Sequence, residues 1–210
     1  MLPGERLLCG DCFRQIPFSR NETDPCNPLA SIMKARIPIQ EAAALCRFTQ
    51  QGVVQTLLHG LKYRKQKGNG YFLGDMAGRA LRTASPFLQV DYLVPVPLHP
   101  EKLQKRGYNQ SLLIAQGMNR HLQKEICEDL LLKSENRQSQ TRKNRVSRWE
   151  NASESFFLNP DCLQTERFHH KHFLLVDDVV TTGATSIRCC QELLKIPGSK
   201  VSFFAIAHPE

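Results

Sequence analysis

The fold is decided by the stretch Phe173-Leu174-Leu175-Val176-Asp177-Asp178-Val179-Val180-Thr181-Thr182-Gly183-Ala184-Thr185. Its first four residues are apolar and predict a buried strand, and two carboxylates stand at the carboxyl end of that strand. The Thr/Gly-rich turn that follows opens a helix, which carries Ile187, Leu193 and Leu194. The sequence therefore predicts a strand, a polar loop and a helix start.

This arrangement suits a phosphate monoester. The first turn of a helix offers unpaired backbone N–H groups and the positive end of the helix dipole, so residues 181–185 can surround a phosphate. Asp177 and Asp178 cannot hold that phosphate because like charges repel, but they suit hydroxyl groups and a divalent cation in the crevice at the strand end. A ribose 5-phosphate carries both features. The alternative is an ordinary strand-to-helix turn with an acidic surface.

The same stretch resembles the binding signature for phosphoribosyl pyrophosphate (PRPP) in type I phosphoribosyltransferases. That signature consists of an apolar strand, two acids and a Thr/Gly-rich turn, and all three parts are present between Phe173 and Thr185.

Composition and charge exclude several classes of protein. The 210 residues are 41% hydrophobic and 23% charged, which is typical of a globular chain rather than a disordered or fibrous one. No apolar run approaches the length of a membrane span, and the first residues lack the regions of a signal peptide, so we expect a cytoplasmic protein. The net charge of +8 favours polyanionic ligands without locating a site for them.

Residues 1–40 differ from the rest, with several prolines and no sustained hydrophobic period. Cys9 and Cys12 have the spacing of two zinc ligands, but a structural zinc site usually needs four, so a partial Zn²⁺ site and a reduced thiol pair both stay open. We predict an amino-terminal cysteine-containing segment over residues 1–40 and an α/β domain over residues 41–210.

Two basic segments lie within the predicted α/β domain. A helix that begins near Val53 ends in a run of cations between Lys62 and Lys67, which is either a solvated helix end or a surface that faces phosphate. The prolines after the strand at 91–95 fix a turn, which is followed by Lys102, Lys105 and Arg106. A loop with these cations can hold a pyrophosphate, and an exposed basic turn is the alternative. Asn109 or Ser111 is predicted to cap the next helix.

Four segments together resemble the ComF family of competence-associated, phosphoribosyltransferase-like proteins, over residues 41–208. They are Val94 to Leu98, Lys105 to Ser111, the polar stretch with Gln140, Thr141, Arg145, Arg148, Asn151 and Phe156, and the opening stretch. The resemblance implies a type I phosphoribosyltransferase fold, a mostly parallel twisted sheet with flanking helices.

The resemblance also implies a set of roles. Asp177 and Asp178 would contact the ribose hydroxyls and Mg²⁺, and Arg145 would stabilise the leaving pyrophosphate as a third catalytic residue. Residues 140–151 would form a lid that excludes water from the reacting carbon, with Gln140, Arg148 and Asn151 among its residues. The PRPP-binding residues would be Thr181, Thr182, Gly183, Ala184, Thr185, Val96, Pro97, Leu98, Lys105 and Arg106.

The sequence departs from the family in two places. Relatives often carry two cysteine pairs in an amino-terminal zinc module, whereas one pair is present here, so we expect that this chain begins inside the module. Lys143 stands where relatives usually have an apolar lid residue, which puts the packing of the lid in doubt.

Two hypotheses for function follow. The first is a PRPP- and Mg²⁺-dependent phosphoribosyltransferase with an unknown acceptor, and turnover itself is left open. The second is a non-catalytic, PRPP-responsive factor in the uptake or processing of single-stranded DNA, with homo-oligomerisation as a further hypothesis. Aromatic residues are sparse in the basic segments, which weakens a stacking platform for single strands.

Overall fold

A computed structural model describes residues 7–133, 156–163 and 166–209. Its centre is a five-stranded sheet in the order β1-β7-β6-β2-β3, in which all neighbouring strands are parallel. The strands are β1 (Ala42–Arg47), β2 (Tyr92–Pro95), β3 (Glu125–Ile126), β6 (His172–Val179) and β7 (Lys200–His208). A separate antiparallel pair is formed by β4 (Leu131–Lys133) and β5 (Phe156–Leu158).

Helices flank the sheet and confirm the predicted α/β fold. The helices that precede β3 in the chain are α1 (Gly10–Arg14), α2 (Pro28–Lys34), α3 (Val53–Tyr63), α4 (Lys67–Leu81), α5 (Ser85–Leu88), α6 (Pro100–Arg106) and α7 (Gln110–Leu122). Later in the chain come α8 (Pro160–Leu163), a short 3-10 helix (Glu166–Phe168) and α9 (Ala184–Leu193).

The central strand β6 separates two hydrophobic cores. Leu174 and Val176 join the core under α3, α4 and α7, whereas Phe173 and Leu175 join the core under α2 and α9. Successive strand residues point to opposite faces, so a strand covered on both sides is apolar at every position. All four of these residues are 0% exposed. This two-sided burial explains the uninterrupted apolar run in the sequence.

The amino-terminal segment packs against the same sheet. Leu29, Ala30 and Met33 of α2 belong to the core under α9, and Phe18 forms an antiparallel bridge with Cys46 of β1. Residues on both sides of position 40 therefore share one core, and a domain boundary at that position stays a prediction.

Helices α4 and α7 approach each other closely enough to exclude side chains between them. A Cβ atom added to Gly74 would lie 2.1 Å from the carbonyl oxygen of Ile114, and one added to Gly117 would lie 2.4 Å from that of Tyr71. Backbone atoms cannot move aside as a flexible side chain can. Glycine is therefore required at this crossing, which fixes the start of α7 relative to the sheet.

We predict that Gly74→Ala destabilises the fold by about 1–3 kcal/mol or more, because the new methyl group forces the two helices apart. For a chain of this size, each kcal/mol lowers the Tm by about 2–4 °C. Thermal unfolding followed by circular dichroism measures the shift. Gly10→Ala is the control, because a Cβ there would meet only Arg14 Nη1 at 3.8 Å. Equal melting of both variants would contradict the packing argument.

Within the described residues, no helix is both long enough and apolar enough to cross a membrane.

Candidate functional site

The two acids lie at the end of β6, inside the strand rather than after it. Asp177 Oδ1 accepts hydrogen bonds from the Asp178 backbone N–H at 2.8 Å and from Ser111 Oγ at 3.2 Å. Asp178 Oδ1 accepts from the Val179 N–H at 2.6 Å, and its Oδ2 forms an ion pair with Lys62 Nζ at 2.8 Å. The protein thus holds both carboxylates in place through groups from three elements.

Burial dominates the electrostatics of this pair. The pKa of Asp177 is raised to about 7, chiefly because burial disfavours the ionised carboxylate and also because the charge of Asp178 is adjacent. The Asp178 backbone N–H, Lys62 and Ser111 act in the opposite sense because each favours the ionised carboxylate. Asp177 therefore changes its charge near neutral pH.

The predicted phosphate loop connects β6 to α9. Gly183 caps α9 with a φ of +74°, a backbone conformation that side-chain-bearing residues rarely adopt, so glycine is needed there. Thr181, Thr182 and Ala184 are exposed, Gly183 is buried and Thr185 is half-buried. Arg36 Nη1 donates to the carbonyl oxygen of Thr182 at 3.2 Å and ties the loop to the end of α2.

The predicted pyrophosphate loop, Val96 to Leu98, lies beside the acids. The Val96 N–H donates to the carbonyl of Val176 at 2.9 Å, and Asn109 Nδ2 donates to the Val96 carbonyl at 3.0 Å. Asn109 also caps α7 by accepting the Ser111 N–H at 3.0 Å, so it is the cap among the two candidates that the sequence offered, Asn109 and Ser111. One asparagine therefore holds the loop and starts the helix that supplies Ser111.

The two acids, the loop Val96 to Leu98 and Thr185 line one cleft of about 210 Å³, whereas residues 181–184 of the predicted phosphate loop are not among its lining residues. We call it the acid-pair cleft, and it is lined by Lys62, Tyr63, Val96, Pro97, Leu98, Lys102, Arg106, Asn109, Gln110, Ser111, Lys133, Asp177, Asp178 and Thr185. Two acids thus share the cleft with four cations. A ligand with several phosphate groups and a bound cation matches this charge pattern.

Lys105 lies in a neighbouring groove of about 360 Å³. We call it the cationic groove, and it is lined by Lys62, Tyr63, Lys65, Lys102, Lys105, Arg106 and Tyr108. Arg106 lines both spaces, where its guanidinium donates to Gln110 Oε1 at 2.7 Å.

The predicted catalytic Arg145 and the predicted lid lie outside the described residues, including Gln140, Arg148 and Asn151. Their roles stay predictions.

The amino-terminal thiols lie together without a further ligand cluster. Cys9 caps α1, where its sulfur accepts the Cys12 N–H at 3.5 Å, and this contact is the main cause of a lowered pKa for Cys9. Among the described residues, no group of three or more His, Cys, Asp or Glu side chains could hold a metal ion. The described chain therefore supplies two of the four thiolates of a typical structural zinc site, and zinc binding stays a prediction.

Sequence reasoning missed three polar groups of the cleft. Lys62 was predicted as a solvated or phosphate-facing cation but is paired with Asp178, and Ser111 was predicted only as a helix cap. Lys133 comes from β4, where no local pattern singled it out. Each reaches the cleft from a distant part of the sequence, so no spacing signal could have linked it to the acids.

Replacement of Asp177 by asparagine is expected to stabilise the fold above neutral pH. The folded-state pKa, about 7, lies above the ordinary value of 3.8, so the stability contributed by this carboxyl is complete below pH 3.8 and is lost as the pH rises through 7. Asparagine keeps the acceptor oxygen and removes the charge. We expect a gain of about 1–2 kcal/mol at pH 8, or a Tm higher by about 2–8 °C.

The measurement is thermal unfolding of the native chain and Asp177→Asn at several pH values between 4.5 and 8. The advantage of the variant should shrink as the pH falls, since the native carboxyl is then protonated. Asp161→Asn, which removes an exposed carboxylate of α8, controls for the change in net charge. A variant less stable than the native chain at pH 8 would refute the argument.

The chain is similar to individual known proteins, although no family model matches it. It is 25% identical over 154 residues to competence protein F of Haemophilus influenzae, a match that covers 72% of this chain and 66% of that protein. It is 28% identical over 116 residues to the DNA utilization protein YhgH of Escherichia coli K12, covering 55% of this chain and 48% of that protein. The matches thus span just under two thirds and about half of these relatives.

Among solved structures, a hypothetical protein from Neisseria gonorrhoeae with bound ppGpp superposes with a TM-score of 0.42 at 16% identity, covering 65% of this chain and 66% of that one. The similarity to competence protein F and to YhgH confirms the ComF-family resemblance that the four sequence segments indicate.

Proposed function

We propose that the acid-pair cleft binds PRPP together with Mg²⁺ and that the protein transfers the phosphoribosyl group to an acceptor. One observation carries this proposal. Two adjacent carboxylates at the end of a central parallel strand are followed directly by a glycine-capped helix start, and both lie beside a second loop that Asn109 holds. Parallel α/β sheets bind ligands at this edge.

The acids fit a hard cation and ribose hydroxyls. Carboxylate oxygens are preferred ligands of Mg²⁺, and the two side chains are fixed by hydrogen bonds before any ligand arrives. Lys62 forms an ion pair with Asp178 and would have to share or yield that carboxylate when a cation binds. When bound, Mg²⁺ would neutralise charge on the pyrophosphate.

The cations of the cleft suit the other end of the donor. Lys102 and Arg106 of α6 and Lys133 of β4 line the cleft with the loop Val96 to Leu98, so they can stabilise negative charge on a leaving pyrophosphate. In the proposed transfer, the bond between ribose C1 and the pyrophosphate oxygen breaks, and the acceptor nucleophile forms the new bond to C1.

Calorimetric titration of PRPP with MgCl₂ tests the proposal. The native chain is expected to bind, and the double variant Asp177→Asn/Asp178→Asn is expected to bind at least about tenfold more weakly, a loss of about 1.4 kcal/mol, because it lacks the charges that face the cation. Asp161→Asn, at an exposed site, should bind like the native chain. Titrations at two temperatures ensure that binding is not missed because its enthalpy is near zero at one of them. Absence of binding by the folded native chain would refute the proposal.

A second candidate is a PRPP-responsive factor in DNA uptake, which the names of competence protein F and YhgH favour. It shares PRPP binding with the first candidate and differs in needing no turnover. The test is expression in Haemophilus influenzae from which competence protein F has been deleted. We expect the native chain to restore part of the transformation frequency and the double aspartate variant to restore less.

Failure of a well-expressed native chain to restore transformation would count against this second candidate. Equal transformation by both chains would show that the acids, and hence PRPP, are not needed for it.

A further inference from the structure

The cationic groove lies next to the acid-pair cleft but is chemically distinct from it. It runs between the carboxyl end of α3 and helix α6, and it shares Lys62, Tyr63, Lys102 and Arg106 with the cleft. Lys65, Lys105 and Tyr108 line the groove alone. The groove can therefore be altered without touching the acids.

The charge of the groove has one sign. Five of its seven lining residues are lysine or arginine, and no carboxylate is among the described residues that line it. Of these five, Lys62 is the one that forms an ion pair with a carboxylate among the described residues, through Asp178. Closely spaced like charges repel, and a bound polyanion would relieve that repulsion.

An exposed aromatic ring stands among these cations. Tyr63 is 67% exposed, although its ring contacts His59 at a centroid distance of 4.8 Å and Arg106 at 5.7 Å. Tyr108 is 8% exposed, and its hydroxyl donates to the Leu61 carbonyl at 2.6 Å, which gives the groove a rigid wall. Lys67 Nζ lies 5.1 Å from the centre of the Tyr108 ring.

We propose that the cationic groove is a second ligand site that takes a nucleotide unit, with its phosphate on the lysines and its base against Tyr63. Aromatic side chains stack on bases while lysine and arginine hold phosphate, whereas an acidic peptide would use the cations but not the ring. The volume of about 360 Å³ suits a ligand of small-molecule size. The nucleotide is either free or one unit of a single strand.

Nucleotide binding in the cationic groove is separate from the proposed donor site and does not require PRPP. The test is therefore made without PRPP or Mg²⁺. The proposed nucleotide site can then be refuted while the proposed PRPP site stands, and the PRPP site can be refuted while the nucleotide site stands. In the sequence, the basic segment near Lys62 is a candidate DNA surface with few aromatics, whereas the fold adds helix α6 and the exposed Tyr63 to it.

Fluorescence anisotropy of a labelled dT12 oligonucleotide, titrated with the full chain at several salt concentrations, provides the test. Tyr63→Leu is expected to weaken binding at least about fivefold, and Tyr63→Phe should retain most of it, because stacking needs the ring and not the hydroxyl. Tyr71→Leu is the matched control, since Tyr71 is 43% exposed on α4 and does not line the groove. Lys65→Gln/Lys105→Gln should lower the magnitude of the logarithmic salt slope by about 1.4, or about 0.7 for each phosphate that the variant no longer neutralises.

Competition identifies the source of the nucleotide. If dTMP displaces labelled dT12 as well as unlabelled dT12 does at the same total concentration of nucleotide units, the site takes a free nucleotide. If only longer strands displace labelled dT12, the site takes a single strand. Each of these results supports the proposal. It is overturned if the native chain binds neither ligand, if Tyr63→Leu and Tyr71→Leu bind alike, or if poly-glutamate competes as well as dT12 does.

Discussion

The site depends on placing two like charges side by side at the end of a buried strand. Such a pair is costly because each carboxylate loses water and repels its neighbour. The protein offsets this cost with backbone N–H groups from the strand itself, with the Ser111 hydroxyl and with the Lys62 ammonium. The raised pKa of Asp177 shows that the compensation is incomplete. A site that keeps part of this electrostatic cost is prepared to accept a cation or hydroxyl donors from a ligand.

The supporting groups are positioned by helix packing rather than by the loops themselves. Helix α7 presents Ser111 to Asp177 from its first turn, and the glycine contacts with α4 fix where that turn lies. Asn109 then joins the helix start to the loop at Val96. Close contact between two backbones leaves little freedom to slide, because any shift brings main-chain atoms into collision. The geometry of the site therefore rests on glycines that are not among the residues lining the cleft.

Among the described residues, the acid-pair cleft is lined by charges of both signs, whereas the cationic groove is lined by positive charges alone. The acids line the cleft and not the groove, so the proposed cation and hydroxyl contacts would be confined to the cleft, whereas Lys65 and Lys105 extend a positive surface away from it. Lys62 belongs to both spaces and is held by Asp178. If a ligand in the cleft displaced Lys62 from Asp178, the unpaired ammonium group would add positive charge to the groove. Occupancy of one site would then alter the electrostatics of the other.

The sequence by itself determined the α/β class, the central strand, the loop and helix that follow it, and a side-chain cap for α7 at Asn109 or Ser111. These features are local, since a strand buried on both faces, a glycine with positive φ and a side-chain cap each leave their mark within a few residues. The identity of the acids as a candidate site was equally visible as adjacent letters. Only the tertiary structure decided which polar groups share the cleft with them. Lys62, Ser111 and Lys133 lie far from Asp177 and from one another in the chain, and the order of strands and the crossing of α4 with α7 bring them to one cleft. Contacts between remote residues follow from packing, and no periodicity in the sequence encodes them.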